Sequence, residues 1–155
     1  MELSRLRSIG LGLACSAVVA GLVFERATAD TAVLSVAVPT AAGAPIQITA
    51  CIAPLKVRVR NLARRELLGF TARFRQYDRA KTKLSDDTVY PHVSSGSVSL
   101  DPGEAGTFWM TGPVGNDIGM SNDTRVVRCE ITSARFAGLK TWNSGTKWSE
   151  KLHAQ

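Results

Sequence analysis

The 155 residues carry 19 Lys or Arg, 13 Asp or Glu and two His, a net charge of +6, with 45% hydrophobic and 21% charged side chains. That balance excludes a disordered polyelectrolyte, which lacks the apolar residues to build a core, and the length suits one domain. Two histidines leave little scope for a histidine-built metal centre or for general-base catalysis.

The chain opens with Arg5 and Arg7, continues through an apolar or small run, Ile9–Phe24, and reaches a small-x-small pattern at Ala27-Thr28-Ala29. In that order these features predict a secretory signal peptide over 1–29. The apolar run is 16 residues, shorter than the roughly 20 of a spanning helix. Residues 30–155 are then expected to be the mature domain, secreted or periplasmic. Removal of the leader leaves 16 basic and 11 acidic side chains, a net +5.

Thr31–Val38 suits an edge strand. Ile46–Ala53 alternates, yet Cys51 falls on the side opposite Ile46 and Ile48. Either a bulge near Ala53-Pro54 turns the strand over or the cysteine side is the buried one. Leu55–Asn61 and Gly69–Gln76 alternate more clearly. Val57 and Val59 face one way, with Lys56, Arg58 and Arg60 the other. Phe70, Ala72 and Phe74 face one way, with Thr71, Arg73 and Arg75 the other. This period of two predicts half-buried strands, read as one hairpin about Leu62–Leu68, where a short helical turn fits. Ten basic residues and only two acids, Glu66 and Asp78, lie between Lys56 and Lys83. The polar segment from Arg79 to Gly96 reads as a long connection with one short strand near Val89-Tyr90.

Ser97–Leu100 is expected as a strand with Val98 and Leu100 inward. Asp101-Pro102-Gly103-Glu104 follows as a turn, proline presetting φ and glycine taking the positive-φ position. Gly106–Thr111 places Phe108 and Met110 inward and Trp109 outward. Gly112–Asn122 is loop. Arg125–Thr132 puts Val127, Cys129 and Ile131 on one side, and a turn at Asn143-Ser144-Gly145 precedes a polar tail. About seven short strands with no helical period after the leader predict an all-β fold, an immunoglobulin-like β-sandwich. In an exported chain the two cysteines outside the leader, Cys51 and Cys129, are expected to form a disulfide.

Val57–Asn61 (VRVRN), Phe74–Asp78 (FRQYD) and Leu100–Glu104 (LDPGE) together resemble bacterial extracytoplasmic immunoglobulin-like domains of the FxLYD type, with Gln76 in place of the family's leucine. The resemblance covers roughly Leu55–Thr111. It implies an export-associated β-sandwich without catalytic residues, and it names no ligand.

No residue pattern here calls for a cofactor or a metal, and catalysis is not expected. His92 lies in a loop and His153 two residues from the end. Asp86-Asp87 reads as a solvated acidic pair. Two features point to binding. If the two basic strands pair antiparallel, Arg58, Arg60, Arg73 and Arg75 share one face, where guanidiniums can grip carboxylates or phosphates bidentately. The bland counterpart is a salt-bridge lattice in which acids such as Glu130 or Asp78 interleave with them. Outward Trp109 is a candidate platform for sugar rings. The expectation is an exported, non-enzymatic interaction module. Its expected partners are acidic polysaccharide, lipid headgroups or another envelope protein, ahead of nucleic acid. The alternative is a structural or adhesin-type subunit that exchanges Thr31–Val38 between neighbours.

Overall fold

The computed structural model describes residues 32–93, 97–113 and 118–154. The expected signal peptide lies outside the described residues. Eight strands form: β1 (Leu34–Ala37), β2 (Ile46–Ile52), β3 (Lys56–Asn61), β4 (Leu67–Tyr77), β5 (Lys83–Pro91), β6 (Ala105–Thr111), β7 (Val126–Phe136) and β8 (Trp142–Asn143). One helical turn, α1 (Glu150–His153), follows. The fold is all-β, as composition and periodicity predict.

The strands follow one hydrogen-bonded path, β1-β7-β4-β5-β6-β3-β2, with β8 added to β7. All pairings are antiparallel except β1 on β7. Among the described residues the two halves, β1-β7-β4-β5 and β6-β3-β2, are joined along the path by a short ladder, Tyr90 with Thr111 and Pro91 with Met110, extended by the His92 N–H donating to the Trp109 carbonyl. At the other side the ends of the path meet: the Ala53 N–H donates to Ser35 Oγ at 3.0 Å. The sheet is therefore nearly closed around its core, where two separate layers would each keep free edges.

The disulfide fastens that second seam. Cys51 on β2 and Cys129 on β7 are bonded, with Cα atoms 5.8 Å apart and a sequence separation of 78. Cys51 reaches the inside through a bulge, but not the one expected near Ala53-Pro54. The register on β3 slips between Ile48 and Ala50. Thr49 is the extra residue, and Ile46, Ile48 and Cys51 are all buried while Ile52 turns outward. Strand β7 flips in the same way. Val127, Cys129 and Ile131 face the core, then the register to β4 shifts at Thr71/Ala72 and Ala134 and Phe136 take over.

The predicted hairpin of β3 and β4 does not exist. β3 pairs with β2 and β6, and β4 pairs with β5 and β7. The actual hairpins are β2–β3 and β4–β5. The link 62–66 instead carries the chain across the core, with Ala63 buried beneath it and no helical turn. Alternation reports which side of a strand is buried, not which strand lies beside it, and that is why the pairing was misread. The polar connection is also corrected: Lys83–Pro91 is a nine-residue strand. Only Val89 on it is fully buried, so it carries no apolar period. Ser97–Leu100 forms no strand, although Val98 and Leu100 are buried as expected. Leu100 makes a lone bridge to Leu67.

Two buried polar side chains tie the connections to this frame. Asn61, fully buried at the end of β3, donates from Nδ2 to the carbonyls of Arg65 (2.8 Å) and Leu100 (2.9 Å). Its Oδ1 accepts the Ala63 N–H. The turn Asp101–Glu104 forms as expected, with Gly103 at φ +82°, and the Gly103 N–H donates to the Asn61 carbonyl. Gln76 is the second. Its amide donates to the Gly119 carbonyl, and its Oε1 accepts from the Ser121 N–H and the Thr124 hydroxyl. An amide does this where leucine could not, because a buried backbone group left without a partner is costly.

Candidate anion-binding face

The four arginines do not share a face. In the nearly closed path, β5 and β6 separate β4 from β3 one way round, and β7, β1 and β2 separate them the other way. Arg73 and Arg75 therefore point out from one wall, and Arg58 and Arg60 from the wall opposite.

On the first wall Arg73 and Arg75 are paired with carboxylates. Arg75 sits across from Asp86 in the β4–β5 register, and Arg73 lies two residues away on the same side. Asp86 approaches both guanidiniums, at 3.4 Å from Arg73 and 3.5 Å from Arg75. It also binds the Lys83 ammonium at 3.1 Å. Glu130, across from Arg73 on β7, pairs with Arg75 at 3.1 Å. This is the salt-bridge lattice: Glu130 was recognised for it from sequence, and Asp86, read there as a merely solvated acid, is its centre. Arg128 completes the wall by lying over the Tyr77 ring, 5.4 Å from its centroid.

Slight burial pushes the Asp86 carboxyl up, but the Lys83 hydrogen bond and the charges of Lys83, Arg75 and Arg73 outweigh it. The net effect holds its pKa below the ordinary 3.8. The folded form thus releases this proton more readily than the unfolded chain. The stabilisation is complete above pH 3.8 and disappears as pH falls through the lower folded value. Asp86→Asn is expected to cost under about 1 kcal/mol at pH 7, since the group is well solvated. In urea titrations the gap between variant and wild type should close as the pH drops below 3.8.

The opposite wall is different. The outward side chains of β2, β3 and β6 form three rows across the strands. Ile52, Lys56 and Trp109 make the first, Ala50, Arg58 and Thr107 the second, and Gln47, Arg60 and Ala105 the third. None of these three strands contains an Asp or Glu. Among the described residues no carboxylate lies within ion-pair distance of Arg58 or Arg60. The nearest acid in sequence to this face, Glu104, is turned back to accept the Asp101 N–H at 2.9 Å. Both arginines are exposed. Alternate residues of a strand stand about 6.8 Å apart, so Lys56, Arg58 and Arg60 form an evenly spaced column of positive charge.

Trp109 belongs to this same face and is 52% exposed, as its parity predicts. Its neighbours Phe108 and Met110 turn inward, and Phe108 packs edge-on against Phe70, centroids 5.6 Å apart. The Lys56 ammonium rests 4.0 Å from the Trp109 ring centroid, a cation–π contact that holds both side chains in place. On the β5 side, Tyr90 pairs with Thr111, two residues from Trp109, so its exposed ring lies on the same surface. In sequence Trp109 and the arginines are separate candidates. The structure unites Trp109 with Arg58 and Arg60 and removes Arg73 and Arg75. Tyr90 and Lys56 were missed as members, because their relation to Trp109 exists only through pairing across strands.

Comparison with protein-family models finds no match, nor does a search of the curated proteins, nor a search of the solved structures for this fold.

Proposed function

We propose that the chain is an exported, non-enzymatic binding module whose β2-β3-β6 face takes an anionic ligand. The observation that carries this reading is the contrast between the two walls. One pairs Arg73 and Arg75 with Asp86 and Glu130, while the other presents Lys56, Arg58 and Arg60 with no acid among them. Uncompensated like charges on neighbouring positions disfavour the folded state slightly, and an anion that bridges them reverses that cost with charge-assisted hydrogen bonds.

Export is supported by the signal-like order of residues 1–29 and by the Cys51–Cys129 disulfide, a bond favoured in oxidising compartments. The three stretches that resemble FxLYD-type immunoglobulin-like domains point the same way, and two of them meet where Asn61 joins the turn Asp101–Glu104. The strand-exchange alternative would take β1 from beside β7 of its own chain to a neighbour's.

The test is salt-sensitive retention on heparin and on anionic vesicles. Arg58→Glu/Arg60→Glu is expected to abolish retention on whichever matrix holds the wild type. Arg73→Gln/Arg75→Gln should leave it within about twofold, because those side chains sit in pairs worth little each. Equal loss from both double variants would mean that net charge, not this face, governs binding.

A further inference from the structure

Resting on the anionic-face reading, we infer that the ligand is a linear acidic polysaccharide, with anionic groups carried on sugar rings. Among the described residues six large apolar side chains are exposed, and three of them, Ile52, Tyr90 and Trp109, lie on this one face. Scattered exposed apolar groups are ordinary, but a cluster marks an interaction surface. The three fall along one end of the face, crossing the strands, while the cations run down β3 away from it. The two lines meet at Lys56, whose ammonium sits on the Trp109 ring.

A ligand using this corner must offer an apolar face to the aromatic rings and a negative group to Lys56 within one residue's reach. A pyranose bearing a carboxylate or sulfate has both: its C–H face stacks on an indole or phenol ring and its acid group sits at the ring's edge. Further along the column, Arg58 and Arg60 alternate with exposed Gln47, Thr49 and Thr107. These supply neutral hydrogen-bonding groups for hydroxyls beside the charged forks. The site is the outer surface of three adjoining strands, β2, β3 and β6, and such an open surface suits an extended polymer more than a small ligand enclosed in a pocket. A lipid surface fits less well. Its apolar anchors would need to project beyond the charges, and here they lie among Thr and Lys on the same pleated surface.

The experiment measures affinity of the purified chain for four probes: a polyuronate, a neutral glucan, inorganic polyphosphate, and vesicles containing anionic phospholipid. The wild type is expected to prefer the polyuronate. Trp109→Ala and Tyr90→Ala/Trp109→Ala should weaken polyuronate binding by about fivefold or more and polyphosphate binding much less, because a polyphosphate offers the rings no C–H face to stack on. Arg58→Glu/Arg60→Glu should lose both polyanions. Polyphosphate or vesicles bound as tightly as the polyuronate, with no effect of the aromatic variants, would overturn the sugar assignment and leave the anionic face standing. Binding to none of the charged probes would overturn both.

Discussion

Cys51→Ala/Cys129→Ala is expected to lower the thermal midpoint by roughly 10–20 °C. The bond closes a loop of 78 residues, and the chain-entropy relation puts the loss at about 4.5 kcal/mol. A domain of this size is stable by roughly 5–15 kcal/mol, so the crosslink is a large share of the whole. Position increases its importance. β2 and β7 are not paired along the sheet path, and the thin β1, with no fully buried residue, covers the seam between them. Calorimetry with and without reductant separates this from a packing effect. Reductant should lower the midpoint of the wild type and leave that of the double variant where it is. A wild-type midpoint indifferent to reductant would contradict the assigned bond.

Asn61→Ala is expected to cost about 2–4 kcal/mol. Its side chain is fully buried and makes three hydrogen bonds. Deleting them leaves the buried Ala63 N–H and the part-buried Arg65 carbonyl without this partner, at about 1–3 kcal/mol each less whatever water recovers, while the Leu100 carbonyl keeps the Leu67 N–H. The damage concentrates where β3 ends, because the same residue orders the 61–65 link and receives the turn Asp101–Glu104. Asn61→Asp should be no milder. It keeps the acceptor, loses both donors and adds a buried charge. Urea midpoints at fixed slope check this; a loss under about 1 kcal/mol for the alanine variant would show that the amide is dispensable.

Much of the fold is legible in the sequence because burial imposes a period of two. Val57 and Val59, Phe70 to Phe74, and Val127 to Ile131 all face as their alternation dictates. What fails are the places where the period breaks or has nothing to report. Cys51 contradicts the parity of Ile46 and Ile48 because one residue, Thr49, is extra. β5 is legible only at Val89-Tyr90 because, below Tyr90, it pairs with β4 alone and buries only Val89 fully. The candidate site is half legible for a related reason. Parity correctly turns Trp109, Arg58 and Arg60 outward, but outward from which wall is decided by strand order, and strand order is set by long-range packing. The role of Gln76 carries no local signal at all, since its partners lie more than forty residues away.

The unequal walls give the molecule an electric moment. Where Arg73 and Arg75 are paired with carboxylates the field is weakened; on the far side the column from Lys56 to Arg60 meets no acid on its own strands. Within a Debye length of a polyanion, about 8 Å in physiological salt, such a body feels a torque as well as a pull. It therefore turns its tryptophan side forward before contact, and fewer of its collisions are wasted.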